Sequence, residues 1–217
     1  DKEEVVQKFQ LYNLIAMPVV DKENRLVGII TVDDAIDVIE QEATEDIETM
    51  AAITPTDKPY LKTGVFETWW KRIPWLLLLM VSATFTSVII NSYDAALATL
   101  GLAAFMPMIM GTGGNAGSQS SVTIIRGLSI GEIEMGDIIR IIWKELRVSL
   151  LCGITMAIAT FGKIMLIEQP GFMTAVVVSL TLVATIVTAK LVGCVLPVLA
   201  KRVGFDPAVM ASPFITT

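Results

Sequence analysis

The sequence predicts an all-α polytopic membrane bundle, four complete transmembrane helices plus the start of a fifth, preceded by a partial α/β module and an acidic connecting helix. Three observations predict it. The 217 residues are 53% hydrophobic and 18% charged, with a mean hydropathy of +0.67, a composition that belongs to membrane proteins rather than soluble domains. The charge is segregated: residues 1–70 carry most of the acids, and long apolar runs fill the remainder. Finally, Met110-Gly-Thr-Gly-Gly-Asn-Ala-Gly-Ser-Gln-Ser-Ser121 lies inside an apolar region. Clustered glycines and hydroxyls at that depth point to close backbone approach or to a polar surface.

The bulk numbers also exclude functions. A net charge of −6, with no basic patch to neutralise phosphates, argues against nucleic acid. The chain has no histidine, which removes Ser-His and Cys-His nucleophile pairs and the commonest transition-metal ligand. Cys152 and Cys194 both fall in apolar runs and read as small packing residues. The opening Asp1-Lys-Glu-Glu4 lacks the basic-then-apolar pattern of a signal peptide and reads as the middle of a longer protein.

In the head, Met17-Pro-Val-Val20 and Leu26-Val-Gly-Ile-Ile30 are strand-type runs joined by the polar turn Asp21–Arg25, which predicts a hairpin. Thr31 then caps a helix, with Asp34 three residues on in capping-box spacing. That helix is expected to reach about Ala52. It carries Asp33, Asp34, Asp37, Glu40, Glu42, Glu45, Asp46 and Glu48, with no basic residue between Arg25 and Lys58. At helical spacing Asp34, Asp37, Glu45 and Glu48 share one face, opposite Val32, Ala35, Ile36, Ile39, Ala43, Ile47 and Met50. Such repulsion suits either a solvated acidic face or a hard divalent cation held by carboxylate oxygens. A linker broken by Pro55 and Pro59 follows, and Trp69-Trp70-Lys71-Arg72 with Trp75 marks the membrane surface.

The spans are expected over residues 73–90, 95–125, 148–167 and 172–199, each long enough for a bilayer core. An amphipathic approach at 137–147 precedes the third, and a fifth opens near Ala208. Lys58, Lys62, Lys71 and Arg72 precede the first span, Arg126, Arg140, Lys144 and Arg147 lie between the second and third, and Lys201 and Arg202 follow the fourth. The opposite loops hold only Lys163, Asp94 and Glu168. The positive-inside rule then puts the head in the cytosol. Lys190, inside the fourth span, reads as a bundle-facing lysine satisfied by helix carbonyls. Ser82, Thr84, Thr86, Ser87 and Asn91 of the first span read as interhelical glue.

The glycine stretch fits few chemistries. No lysine precedes its hydroxyl residues, so it is not a phosphate loop, and its membrane setting is wrong for a dinucleotide fingerprint. Ser118 as an intramembrane nucleophile has no histidine base, leaving Lys190 or Lys163. Two readings remain open: a close-packed helix interface of the small-xxx-small type, and a cation path lined by backbone carbonyls with Asn115, Ser118 and Gln119.

Two resemblances narrow these. Tyr12–Val20 together with Gly28-Ile-Ile-Thr-Val-Asp-Asp-Ala-Ile36 resembles the C-terminal half of a CBS module. Pro107–Ser121, Ile125-Arg-Gly-Leu128 and Gly131-Glu132 resemble the signature of the MgtE magnesium channel family; Glu42–Ile47 resembles its connecting helix, and Gly204-Phe-Asp-Pro-Ala208 with Ser212-Pro213 the approach to its last pore helix. The resemblance implies a homodimer in the cytoplasmic (inner) membrane, Mg²⁺ as both substrate and regulator, and no enzymatic activity. It assigns 1–40 to a partial CBS module, 32–57 to the connecting, or plug, helix and linker, and 58–217 to the pore domain. It implies Mg²⁺ sensing by Asp34, Asp37, Glu42, Glu45 and Asp46, and an acidic pore entrance at Asp206. Gly111 and Gly114 would line the pore with their carbonyls beside Asn115 and Ser118, with Thr216 opposite. ATP binding at the CBS region is also admitted, although this stretch alone does not argue for it. The family's pore aspartate would fall just beyond Thr217. The function expected is therefore Mg²⁺ transport gated by cytosolic Mg²⁺, with a Mn²⁺ or Co²⁺ transporter, or a membrane enzyme using Ser118, as rivals.

Overall fold

The computed structural model describes residues 2–56, 58–99, 101–168 and 171–209. The chain separates into two compact units, Asp1–Lys71 and Arg72–Thr217.

In the first unit, α1 (Lys2–Tyr12) leads into a hairpin of β1 (Ala16–Val20) and β2 (Leu26–Thr31), followed by α2 (Val32–Met50). The strands pair antiparallel, Met17 against Ile30 and Val19 against Gly28. The turn is built by Asp21, whose carboxylate accepts the backbone N–H groups of Glu23 and Arg25 at 2.9 Å each. Asn24 takes the left-handed conformation, φ 60°, which asparagine tolerates better than most residues. The expected hairpin is present, and so is the capping box: Asp34 accepts from the Thr31 backbone N–H (2.8 Å) and hydroxyl (2.7 Å). Sequence reasoning assigned no element to 2–12, yet α1 supplies Val6 and Phe9 to a small core with Ala35, flanked by Leu14, Met17, Ile30 and Val38. That packing corrects the expected face of α2. Ala35 and Val38 turn inward, while Ile36 and Ile47 stay more than half exposed, because α1 and the hairpin cover only one sector of the helix.

The unit closes through its linker. The Thr54 N–H bonds the Lys71 carbonyl at 3.1 Å, Lys71 reaches the Pro55 carbonyl at 2.8 Å, and Lys58 pairs with Glu67 at 3.0 Å.

The unit boundary falls inside α3 (Val65–Ser92), which contains Pro74 and buries none of its residues. Within it Thr84 and Ser92 donate to the carbonyls of Met80 and Val88 in their own helix. The second expected span is broken. A short α4 (Asp94–Thr99) is separated from α5 (Met106–Ser129) by a 3₁₀ turn, Leu102–Phe105. Gly101 at φ 62° makes the turn, and Pro107 sits in the first turn of α5, where a missing N–H costs nothing. A 3₁₀ turn (Met135–Asp137) then leads into α6 (Ile138–Lys163), which ends in a π segment, Ile164–Glu168. The amphipathic approach and third span are thus one helix. Last comes α7 (Phe172–Val203), closed by left-handed Gly204.

Among the described residues, three helices are long and apolar enough to cross a membrane: Val65–Ser92, Met135–Glu168 and Phe172–Val203. The glycine helix α5 falls outside that set because its glycines and polar residues dilute its hydropathy.

Of these helices α7 is central. Gly113 of α5 faces Thr185, and the Leu128 carbonyl faces Lys201, so α5 and α7 run parallel. Gly153 of α6 faces Val183, and Glu145 faces Lys190, so α6 and α7 run antiparallel. Apolar clusters mark the stack at both ends, Phe105, Ile164, Ala175 and Val178 at one and Ile124, Leu128, Cys194 and Val198 at the other.

Candidate functional site

The glycine stretch is a regular helix, which corrects the expectation of irregular backbone exposing its carbonyls. At about 100° per residue, its two kinds of small residue separate onto opposite faces. Gly113, Ala116, Gly117, Ser120, Ser121, Ile124 and Leu128 are buried. Gly111, Asn115, Gln119 and Val122 are exposed, with Gly114 and Ser118 half-buried between.

The buried face is a close-packed interface. A Cβ on Gly113 would stand 2.7 Å from the Thr185 methyl, and one on Gly193 would strike the Gly117 backbone. Only glycine permits two helix backbones to approach this closely. Gly153 brings α6 similarly near: a Cβ there would stand 3.3 Å from the Val183 Cα. By contrast, a Cβ on Gly111 would meet nothing within 4 Å. Of the two readings that the sequence left open, close packing is observed on one face of α5; the opposite face carries a polar stripe.

The C-terminal end of α5 is fully tied. The Ile130 N–H donates to the Arg126 carbonyl (3.1 Å), the Ile133 N–H to Gly127 (3.0 Å) and Lys201 Nζ to Leu128 (3.0 Å). A lysine on terminal carbonyls suits the negative end of the helix dipole. A Cβ on Gly127 would meet the Ile133 side chain, which packs into the space beside it.

One charged network was missed. Lys190 is bundle-facing as expected, but it is not satisfied by carbonyls. Its Nζ donates to Ser120 Oγ (3.2 Å) and lies 3.6 Å from Glu145 Oε2, and the Ser120 hydroxyl donates to that same carboxylate oxygen at 2.8 Å. The lysine and glutamate side chains are only 7% and 13% exposed. Removing one partner of so buried a pair costs about 3–5 kcal/mol. Two signals in the sequence could have found it: Glu145 is the lone acid among Arg140, Lys144 and Arg147, and Lys190 is the lone charge in its span. The pairing also bears on Ser118, because the lysine serves Ser120 and not that hydroxyl.

The acidic residues of α2 are not gathered into one centre. Among the described residues, no three acids, cysteines or histidines are placed to hold a metal ion. Asp34 is engaged in the cap, and those hydrogen bonds from Thr31 hold its carboxyl below the usual range. A cavity of about 470 Å³ is lined by Asp37, Glu40, Glu42, Glu45 and Glu48 together with Lys2 and Lys58. Glu48 there accepts the Thr56 N–H at 2.9 Å. Asp206 accepts the Ala208 N–H at 2.8 Å, capping the turn that starts at Pro207. Thr216 lies outside the described residues.

Comparison with known proteins decides the family. The family model described as "MgtE: Divalent cation transporter" matches residues 106–217, and a CBS domain model matches 2–41. The chain belongs to the MgtE family. It is 40% identical to the magnesium transporter MgtE of Thermus thermophilus over 218 residues, covering 100% of this chain and 48% of that one. It is 37% identical to the magnesium transporter MgtE of Bacillus subtilis over 222 residues, again 100% of this chain and 48% of the relative. For the Enterococcus faecalis protein of the same name the values are 34%, 100% and 47%. The chain thus spans about half the length of the curated relatives it matches. The matched region 106–217 contains the polar stripe of α5 and both ends of the Lys190 network, so the MgtE signature and the packed bundle are the same part of the molecule.

Proposed function

We propose that this chain is the membrane part of a Mg²⁺ transporter together with part of its cytosolic sensor. One observation carries the reading: α5 buries one small-residue face against α7 and leaves Gly111, Asn115 and Gln119 exposed, with Ser118 half-buried beside them, as a polar stripe on the opposite face. Neutral oxygens suit a hard cation that retains its water. The relatives named as magnesium transporters support Mg²⁺ as the cargo. The broader description of the family as divalent cation transporters favours Mn²⁺ as a second cargo.

In this reading α5 is the fourth complete span. Its 24 residues rise about 36 Å, enough for a hydrocarbon core of about 30 Å. A fifth span begins at Pro207, with Asp206 at the cytosolic mouth and Thr216 contributing a carbonyl to the path. Residues 1–40 are part of a CBS module, 32–57 the plug helix and linker, and 58–217 the pore domain. The head faces the cytosol and the protein sits in the cytoplasmic membrane, since Lys201, Arg202, Arg140 and Lys144 lie on one side while Lys163 is neutralised by Glu168 at 2.8 Å on the other. Two copies form the path, each presenting its α5 stripe. Mg²⁺ bound by Asp34, Asp37, Glu42, Glu45 and Asp46 relieves their mutual repulsion and closes the pore. The first four of the acids on the α2 cavity wall, Asp37 to Glu45, support a site that a second copy or further chain completes.

Proteoliposomes holding the full-length protein and a Mg²⁺-sensitive dye test this. Mg²⁺ should enter down its gradient and stop as Mg²⁺ on the head side rises. Changing Asp34, Asp37, Glu45 and Asp46 to their amides should leave the flux running at concentrations that shut the parent. Absence of Mg²⁺ flux in the parent rejects the cargo; flux whose shut-off ignores the four substitutions rejects the gate. Mn²⁺ entry measured in the same vesicles decides the second cargo.

A further inference from the structure

We propose that Glu145, Ser120 and Lys190 act as a positioning lock that sets the rotation and register of α5 against α6 and α7. Through that rotation the three residues determine which α5 groups face the ion path. The last step rests on the reading of the α5 stripe given above; the lock itself does not.

The inference starts from what the α5–α7 interface lacks. Gly113, Ala116 and Gly117 on one side and Gly193 on the other let the backbones meet, yet surfaces this smooth contain few knobs to resist sliding or rotation. Close approach fixes distance. Register needs something directional, and buried polar groups are the best-attested source of it. The network straddles the closest contact: Ser120 follows Gly117 by three residues and Lys190 precedes Gly193 by three, so in these parallel helices the lysine side chain reaches along the axis past the contact to the hydroxyl. Each helix contributes one member, and the Ser120 hydroxyl occupies the centre, accepting from Lys190 at 3.2 Å and donating to Glu145 at 2.8 Å.

Turning α5 by one residue, about 100°, would carry Ser120 off the pair and put Gln119 or Ser121, each displaced by about 1.5 Å along the axis, in its place. It would also move Asn115 and Ser118 towards a neighbouring helix. The ion pair therefore selects one rotation out of several that the glycines would accept. Ser120 is a positioning residue in this scheme, and so are both charged partners.

Cysteine accessibility in the full-length protein, in a background lacking Cys152 and Cys194, reads the rotation without reference to transport. Asn115→Cys and Gln119→Cys should react with a water-soluble maleimide, and Ser121→Cys, fully buried, should not. In Lys190→Met or Glu145→Gln the contrast between the two faces should fall by about tenfold or more. Lys190→Arg should recover much of it, and the uncharged double variant Glu145→Gln/Lys190→Met, which removes the pair, should not. Ser120→Ala, which keeps the ion pair and is small enough to pack, should lose about threefold and serves if the single charge variants fail to insert. Mg²⁺ uptake is recorded on the same samples, and a misrotated stripe should raise the concentration for half-maximal uptake more than it lowers the maximal rate. An unchanged accessibility contrast in folded Lys190→Met, Glu145→Gln and Ser120→Ala overturns the lock. Collapse of the contrast with parental uptake keeps the lock and rejects the stripe as the ion path.

Discussion

Asp34 shows how far a single residue can be read. Its spacing from Thr31 predicted a capping box, and the hydrogen bonds from the Thr31 N–H and hydroxyl are present at 2.8 and 2.7 Å. They favour the carboxylate, so its pKa is lower folded than the ordinary 3.8. A depressed folded pKa means the cap's contribution is complete above that ordinary value and is lost as pH falls through the lower folded one. Protection of the first-turn amides of α2 against exchange should therefore fall only on acidification below the ordinary carboxylate range, and Asp34→Asn should abolish that fall in protection. The same substitution separates two roles for this residue. If exchange at the first turn changes while Mg²⁺ shut-off does not, Asp34 caps the helix and takes no part in sensing.

At the scale of elements, the glycines divide by what a Cβ would meet. Gly193→Ala would press into the Gly117 backbone, and neither helix can yield without moving; overpacking of this kind costs about 1–3 kcal/mol. Gly162→Ala, with nothing within 4 Å, should be near neutral or slightly stabilising in the last turn of α6. Melting of the two variants in detergent checks the contrast, and equal melting temperatures would refute it. Much at this scale was legible. The hairpin, the start of α2 and the long apolar helices follow from patterns that local physics dictates. What was not legible came from tertiary context. The break at Gly101 and the 3₁₀ turn after it interrupt an apolar run that reads as one span, because an apolar sequence does not say where its backbone bends. Likewise, glycine permits both a regular helix and a loop, so composition could not tell that 106–129 stays helical. Glu145 and Lys190 are 45 positions apart, and only the antiparallel packing of α6 on α7 shows that they meet.

For the whole molecule, the positive-inside argument makes a simple prediction. In intact cells, Phe205→Cys should be shielded from a membrane-impermeant thiol reagent, and Glu168→Cys should be labelled. The opposite pattern would invert the proposed orientation and move the head out of the cytosol. The buried ion pair has a further consequence, and it concerns synthesis rather than transport. A lone lysine at the centre of a helix leaving the translocon costs about 2.5–3.5 kcal/mol to partition into lipid. Lys190 is the nineteenth of the 32 residues of α7, and α6 with Glu145 is made before it. The acid is therefore already waiting when the base emerges, and α7 is expected to leave the translocon against α6 rather than alone. In a glycosylation-scanning assay of nascent chains, Glu145→Gln should lower the fraction of α7 that inserts, although the substitution lies in a helix completed earlier.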